Sequence, residues 1–312
     1  MSAIKKYLSL IKFSHTIFEM PFALIGFSLG VYKLRHNDLL VNTSYDFFIN
    51  FPVDAFKNYS AQGQLWIKFI LVILCMVFAR SAAMAFNRWL DAKYDALNPR
   101  TAIREIPSGI IKPSNALLFT ITCSALFVAC CYFINTACLI LSPIALFIIL
   151  FYSYTKRFTA LCHLVLGLGL SLAPIGAYLA VIGSFDLLPV LFSLTVLFWV
   201  SGFDIIYALQ DEDFDKTQHL HSIPAALGKK NALLVSTLLH TASAACVIYA
   251  GVHGQFGWFY WIGVVVFTGM LIYQHSIVKP TDLRRVNIAF MTANGVASVV
   301  FAVFVIADMF WR

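Results

Sequence analysis

The chain has 312 residues, 60% hydrophobic and only 12% charged, with a formal net charge of +7. Soluble domains carry roughly 25% charged residues, so this composition excludes an ordinary water-soluble enzyme and offers no nucleic-acid-binding surface. Its apolar runs reach the ~20 residues that a helix needs to span a bilayer, and the seven cysteines lack C-x-x-C spacing and read as small buried hydrophobes.

Hydropathy predicts an all-α, polytopic membrane protein of nine spans, near 15–33, 65–89, 115–134, 136–155, 161–183, 187–208, 231–252, 256–276 and 286–310. The whole chain, 1–312, reads as a single transmembrane domain with an outer loop near 34–64 and inner cap loops near 90–114 and 209–230. Lys5, Lys6 and Lys12 precede the first span, which reads as retained and not as a cleaved leader. His15, Glu19 and Pro21 interrupt that span, and Glu19 is not expected to face lipid. The outer loop holds Asn42-Thr43-Ser44 and Asn58-Tyr59-Ser60, a pattern too common to carry weight.

The second span ends in Asn87-Arg88-Trp89-Leu90-Asp91-Ala92-Lys93-Tyr94-Asp95. Residues three and four apart share a helical face, so Asn87, Asp91 and Asp95 form one polar stripe. Arg80 lies seven residues before Asn87, two turns deeper on that face. It either pairs with an interior acid or reaches a cavity to hold an anionic group. The loop that follows contains Thr101-Ala102-Ile103-Arg104 and Pro107-Ser108-Gly109. Spans three and four form a hairpin turned at Asn135-Thr136, and Tyr152 and Lys156-Arg157 close the fourth.

A second stripe, Asp204, Tyr207, Asp211 and Asp215, closes the sixth span. Asp204 would orient a hydroxyl of a ligand, pair with Arg80 or accept a hydrogen bond. His219 and His221 follow, and solvated loop histidines are the simpler reading of them. Asn287 and Asn294 on the last span read as structural. A cytoplasmic N-terminus places most of the Lys and Arg residues inside, among them Arg100, Arg104, Lys156, Arg157, Lys216, Lys229 and Lys230. Both stripes then open on the cytoplasmic face. Ionisable groups inside hydrocarbon cost about 2.5–3.5 kcal/mol on insertion scales, so two matched stripes mark function. Carboxylates suit Mg²⁺, and Mg²⁺ with neighbouring Arg and Lys suits a diphosphate.

These segments resemble the UbiA superfamily of intramembrane aromatic prenyltransferases. The stripes are similar to its N-x-x-x-D-x-x-x-D and D-x-x-Y-x-x-x-D-x-x-x-D signatures, Tyr152 to Arg157 to its Y-x-x-x-K-R segment, and Thr101 to Gly109 to its T-x-x-R-x-x-P-S-G loop. The resemblance implies nine helices around a central cavity open to lipid. It implies that Asn87, Asp91, Asp95, Asp211 and Asp215 hold Mg²⁺ on a polyprenyl diphosphate, and that Lys156 and Arg157 help to bind it. Arg104 would share the diphosphate oxygens, and Tyr152 and Tyr207 would face the allylic cation.

The expected activity is Mg²⁺-dependent transfer of a polyprenyl group to a small aromatic acceptor, most simply 4-hydroxybenzoate, in the inner membrane of a bacterium, with no obligate protein partner. His221 stands where the ubiquinone branch has Lys, which keeps a menaquinone-pathway acceptor, naphthoate-like or futalosine-derived, as an alternative. A secondary transporter or cation carrier is the rival of another class.

Overall fold

A computed structural model describes residues 3–11, 20–36 and 59–311. Lys12, His15, Glu19, Asn42-Thr43-Ser44, Lys57, Asn58 and the side chain of Lys5 lie outside the described residues. The helices are α1 (Ala3–Leu10), α2 (Met20–His36), α3 (Ala61–Leu90), α4 (Ala92–Leu97), α5 (Pro113–Ile134), α6 (Thr136–Thr155), α7 (Cys162–Ile182), α8 (Leu187–Ala208), α9 (Glu212–Thr217), α10 (Ile223–His253), α11 (Trp258–Ile277) and α12 (Asn294–Phe310). Among the described residues, eight helices are long and apolar enough to cross a membrane. The expected first span is represented by α2, 17 residues long, and its earlier part lies outside the described residues.

Local chemistry sets the helix ends. Pro113 sits in the first turn of α5, where a missing N–H costs nothing. The predicted hairpin turn is Asn135: its extended backbone ends α5, and its Oδ1 accepts from Cys138 N at 2.8 Å to cap α6. Its amide also donates to Leu179 O at 2.8 Å, tying the hairpin to α7. Gly228, at φ 74°, breaks α10 into a short first turn and a long span.

Helices α2, α7, α8, α10, α11 and α12 pack around an aromatic core, with α3, α5 and α6 closing the other side. Phe22 of α2 meets Trp199 of α8 at 5.4 Å and Phe301 of α12 at 5.8 Å, and Trp199 meets Phe267 of α11 at 5.8 Å. Apolar burial does not itself drive helix association in lipid, so close packing and polar ties between helices matter more. Asn294 supplies one tie: its Oδ1 accepts from Trp199 Nε1 at 2.9 Å and from Gln274 Nε2 at 2.7 Å. This agrees with the structural reading of Asn294, whereas Asn287 lies on the cavity wall.

Gly26 lets α2 touch α7. A Cβ there would lie 2.0 Å from Pro174 O, a backbone atom that has no rotamer to escape by. Gly26→Ala is therefore expected to destabilise the bundle by about 1–3 kcal/mol, read as a lower thermal midpoint of the detergent-purified protein.

Candidate active site

One cavity of about 1010 Å³ is bounded by α3, α5, α6, α7 and α8. Its depth is apolar, with Val72, Ile134, Leu141, Leu170 and Leu179 among the lining residues, while its mouth carries the residues of both acidic stripes. Asn87, Asp91, Asp95, Asp211 and Asp215 all lie on its wall, as do Arg80, Arg104, Tyr152, Lys156, Arg157, Asp204 and Tyr207. Every site residue expected from the sequence thus shares one chamber. His219 and His221 border a separate, shallow depression instead.

The stripes are not single helical faces. Helix α3 ends at Leu90, Asp91 takes φ −90° and ψ 6°, and α4 restarts at Ala92. Bonds from Asp91 N to Asn87 O (2.9 Å) and from Asp95 N to Asp91 O (2.8 Å) preserve the four-residue register through the break. In the second stripe the chain tightens into a 3₁₀ turn at Leu209–Asp211 before α9, so Asp211 and Asp215 are re-aimed relative to Asp204 and Tyr207.

Four of the five motif carboxylates each have an Arg or Lys partner of their own. Arg157 reaches Asp91 at 2.9 Å, Arg104 reaches Asp95 at 2.7 Å, and Lys156 reaches Asp215 at 2.7 Å. Arg100 grips Asp211 through two nitrogens, donates to Tyr207 Oη at 2.8 Å and lies 5.1 Å above the Tyr207 ring. Asn98 Nδ2 joins the first motif's loop to Asp211 at 3.2 Å. Asp215 is fully buried and also accepts from Ser222 Oγ at 2.8 Å. Burial raises the Asp91 carboxyl above the usual carboxylate range, against the lowering pull of Arg157. Burial also works against the Lys156 ammonium, but the Asp215 carboxylate outweighs it and holds the lysine above its ordinary value.

No group of three or more His, Cys, Asp or Glu among the described residues converges at metal-binding distance. The donor chemistry nevertheless fits Mg²⁺. The mouth carries hard carboxylate oxygens with Arg and Lys between them, and Mg²⁺ is commonly held by one or two carboxylates together with substrate phosphates.

Four participants were not anticipated. Arg100, seen in the sequence only as an inner-side charge, is the bridge between the stripes. Asn98 supports it. Asp204 does not stand alone: His163 Nδ1 lies 2.6 Å from its Oδ2. Phe290, placed by a π-helical turn at Ile288–Ala293, packs on Tyr207 with ring centroids 4.4 Å apart. Proximity of Arg100 to Asp95 in the chain was a usable signal; nothing local marked His163 or Phe290.

A family model described as the UbiA prenyltransferase family matches residues 59–296. The chain is 31% identical over 241 residues to a 4-hydroxybenzoate octaprenyltransferase of Aliivibrio fischeri (strain ATCC 700601 / ES114), covering 76% of this chain and 82% of that protein. It is 26% identical over 237 residues to a protein of the same name from Francisella tularensis subsp. novicida, covering 76% and 83%. Its fold is similar to the apo structure of a UbiA homolog from Aeropyrum pernix K1, with a TM-score of 0.73 at 28% identity, covering 94% of this chain and 96% of that one. It is also similar in fold to a UbiA homolog from Archaeoglobus fulgidus bound to DMAPP and Mg²⁺, with a TM-score of 0.66 at 20% identity, covering 97% and 99%.

Proposed function

Because the chain belongs to the UbiA prenyltransferase family, we propose that it transfers a polyprenyl group from a polyprenyl diphosphate to a small aromatic acceptor, with Mg²⁺ as cofactor. The relatives named 4-hydroxybenzoate octaprenyltransferase support 4-hydroxybenzoate as that acceptor. The observation that carries the reading is the meeting of four carboxylates and four cations at the mouth of a cavity whose depth is lined by apolar side chains. A bare ion path would need polar groups toward both faces, and these lie at one end.

In this reading Asn87, Asp91, Asp95, Asp211 and Asp215 hold Mg²⁺, which supplies charge neutralisation to the departing pyrophosphate. Arg100, Arg104, Lys156 and Arg157 share the diphosphate oxygens. The allylic C–O bond breaks with its electron pair leaving on pyrophosphate, and the prenyl chain lies along the apolar depth. Tyr152, Tyr207 and Phe290 present aromatic surface to the allylic cation, an attraction worth about 2 kcal/mol when desolvated, and the walls keep water from it. Arg80 faces the acceptor's carboxylate and Asp204 its hydroxyl. The chain acts as a single transmembrane domain in a bacterial inner membrane, with its mouth on the cytoplasmic side, where soluble acceptor and pyrophosphate exchange.

Membranes containing the protein, given labelled geranyl diphosphate, Mg²⁺ and a mixture of 4-hydroxybenzoate and 1,4-dihydroxy-2-naphthoate, are expected to yield one C-prenylated product by mass spectrometry. Excess EDTA should remove it. Full turnover in EDTA would overturn the Mg²⁺ assignment, and a product from the naphthoate alone would move the acceptor to the menaquinone side, the alternative that His221 keeps open.

A further inference from the structure

We propose that His163 is a positioning residue for the acceptor half of the reaction, fixing Asp204 as the base that receives the acceptor's hydroxyl proton. The inference rests on the prenyl-transfer reading of the cavity and adds a residue that neither acidic stripe contains.

His163 sits in the first turn of α7 and is 3% exposed, while the Asp204 side chain is 24% exposed and lies on the cavity wall. Two hydrogen bonds define the imidazole. The backbone N–H of Ile223 points at Nε2 at 3.3 Å, so Nε2 is the acceptor. The ring proton therefore belongs on Nδ1, which donates to Asp204 Oδ2 at 2.6 Å. Ser201 Oγ, one turn before Asp204, donates to His163 O at 3.1 Å and locks α7 to α8 at this level. Gly167, one turn further along α7, permits the approach: a Cβ there would lie 2.5 Å from Leu197 O. The carboxylate is thus held at one oxygen from behind, and its exposed side looks into the chamber.

The groups facing Asp204 fit an acidic aromatic acceptor. Cys162 and His163 come from α7, Tyr152 from α6, Arg80 from α3 and Tyr207 from its own helix. Both Arg80 and Asp204 act electrostatically on the Tyr152 hydroxyl, which places the three in one neighbourhood. A guanidinium, a carboxylate and a phenol on the wall of one cavity suit a ring that carries an acid at one end and a hydroxyl at the other.

The step balances as follows. The hydroxyl proton passes to Asp204 while a ring carbon forms the new C–C bond to the allylic carbon, and pyrophosphate leaves with the electrons of the broken C–O bond. The resulting dienone loses its ring C–H proton to the departing pyrophosphate or water. Its oxygen recovers the proton held by Asp204, so one proton is released per turnover. His163 donates throughout and changes no charge.

The test uses the full-length protein in liposomes, geranyl diphosphate, Mg²⁺, and whichever of 4-hydroxybenzoate and 1,4-dihydroxy-2-naphthoate the wild type prenylates. His163→Leu is expected to lower kcat/KM for the acceptor roughly 10- to 100-fold, the worth of one hydrogen bond to a charged group, with KM for geranyl diphosphate unchanged. Losing a donor disfavours the charged form of the base, so the acid limb of the acceptor pH profile should move to higher pH. His163→Asn, whose amide can stand in for Nδ1–H, should restore most of both. In an Asp204→Asn background, His163→Leu should cost nothing further. The proposal is overturned by an unmoved acid limb, by equal losses for both substrates, or by a further loss in that background. A wild type that prenylates neither acceptor instead overturns the transfer reading itself.

Discussion

Alanine at Asp91 or at Asp211 is expected to cut prenyl transfer roughly 10²- to 10³-fold while the protein still inserts and elutes as the wild type does. The two halves of that result have separate causes. Activity falls because each carboxylate is one of the few hard oxygen donors at the mouth, and the charge it organises develops only as the C–O bond breaks. Folding survives because the cations left behind keep other bonds. Arg157 still donates to Ser153 O at 3.1 Å and Leu90 O at 3.0 Å, and Arg100 still donates to Tyr207 Oη. Product mass spectrometry together with a size-exclusion profile checks both halves. Full activity in either variant would sink the metal assignment.

Lys156→Met should behave differently, because its partner is buried. Asp215 has no exposed surface, so removing Lys156 strands a carboxylate away from water and should destabilise the fold by about 3–5 kcal/mol. Adding Asp215→Asn removes the stranded charge and should return most of the thermal stability. It should not return activity, since a phosphate-facing cation and a hard oxygen donor are then both missing. Thermal midpoints of the two proteins in detergent, read beside turnover, decide the matter. A single variant as stable as the wild type would mean that water or another cation reaches Asp215.

The spans were legible because the bilayer imposes a length on apolar helices, and the Asn135 turn because an asparagine that both ends and caps a helix leaves a local signature. The stripes were legible as spacing but not as geometry. Asp91 sits at a helix break and Asp211 in a 3₁₀ turn, and neither departure is written in the four-residue repeat. Least legible were pairings between distant segments. His163 and Asp204 are 41 residues apart, and their meeting depends on where α7 crosses α8, a matter of Gly167 and Ser201 packing. Arg100 illustrates the same limit: its charge was counted, but its reach to Asp211 depends on the turns of residues 98–111, which α1 supports through Ser9 Oγ on Glu105.

The one-to-one matching of carboxylates with cations at the mouth has a consequence for ligand traffic. At rest the vestibule is close to electroneutral, so neither a lone divalent ion nor a lone phosphate ester finds a ready seat there. Either arriving alone must evict a resident partner and leave an orphan charge, whereas the ion and the diphosphate arriving together exchange like for like. On the proposed reading the two ligands are thermodynamically linked, each sharpening the affinity for the other by the same factor. Such a vestibule would disregard the phosphodiester headgroups that crowd every bilayer surface and admit a pyrophosphate that brings its metal with it.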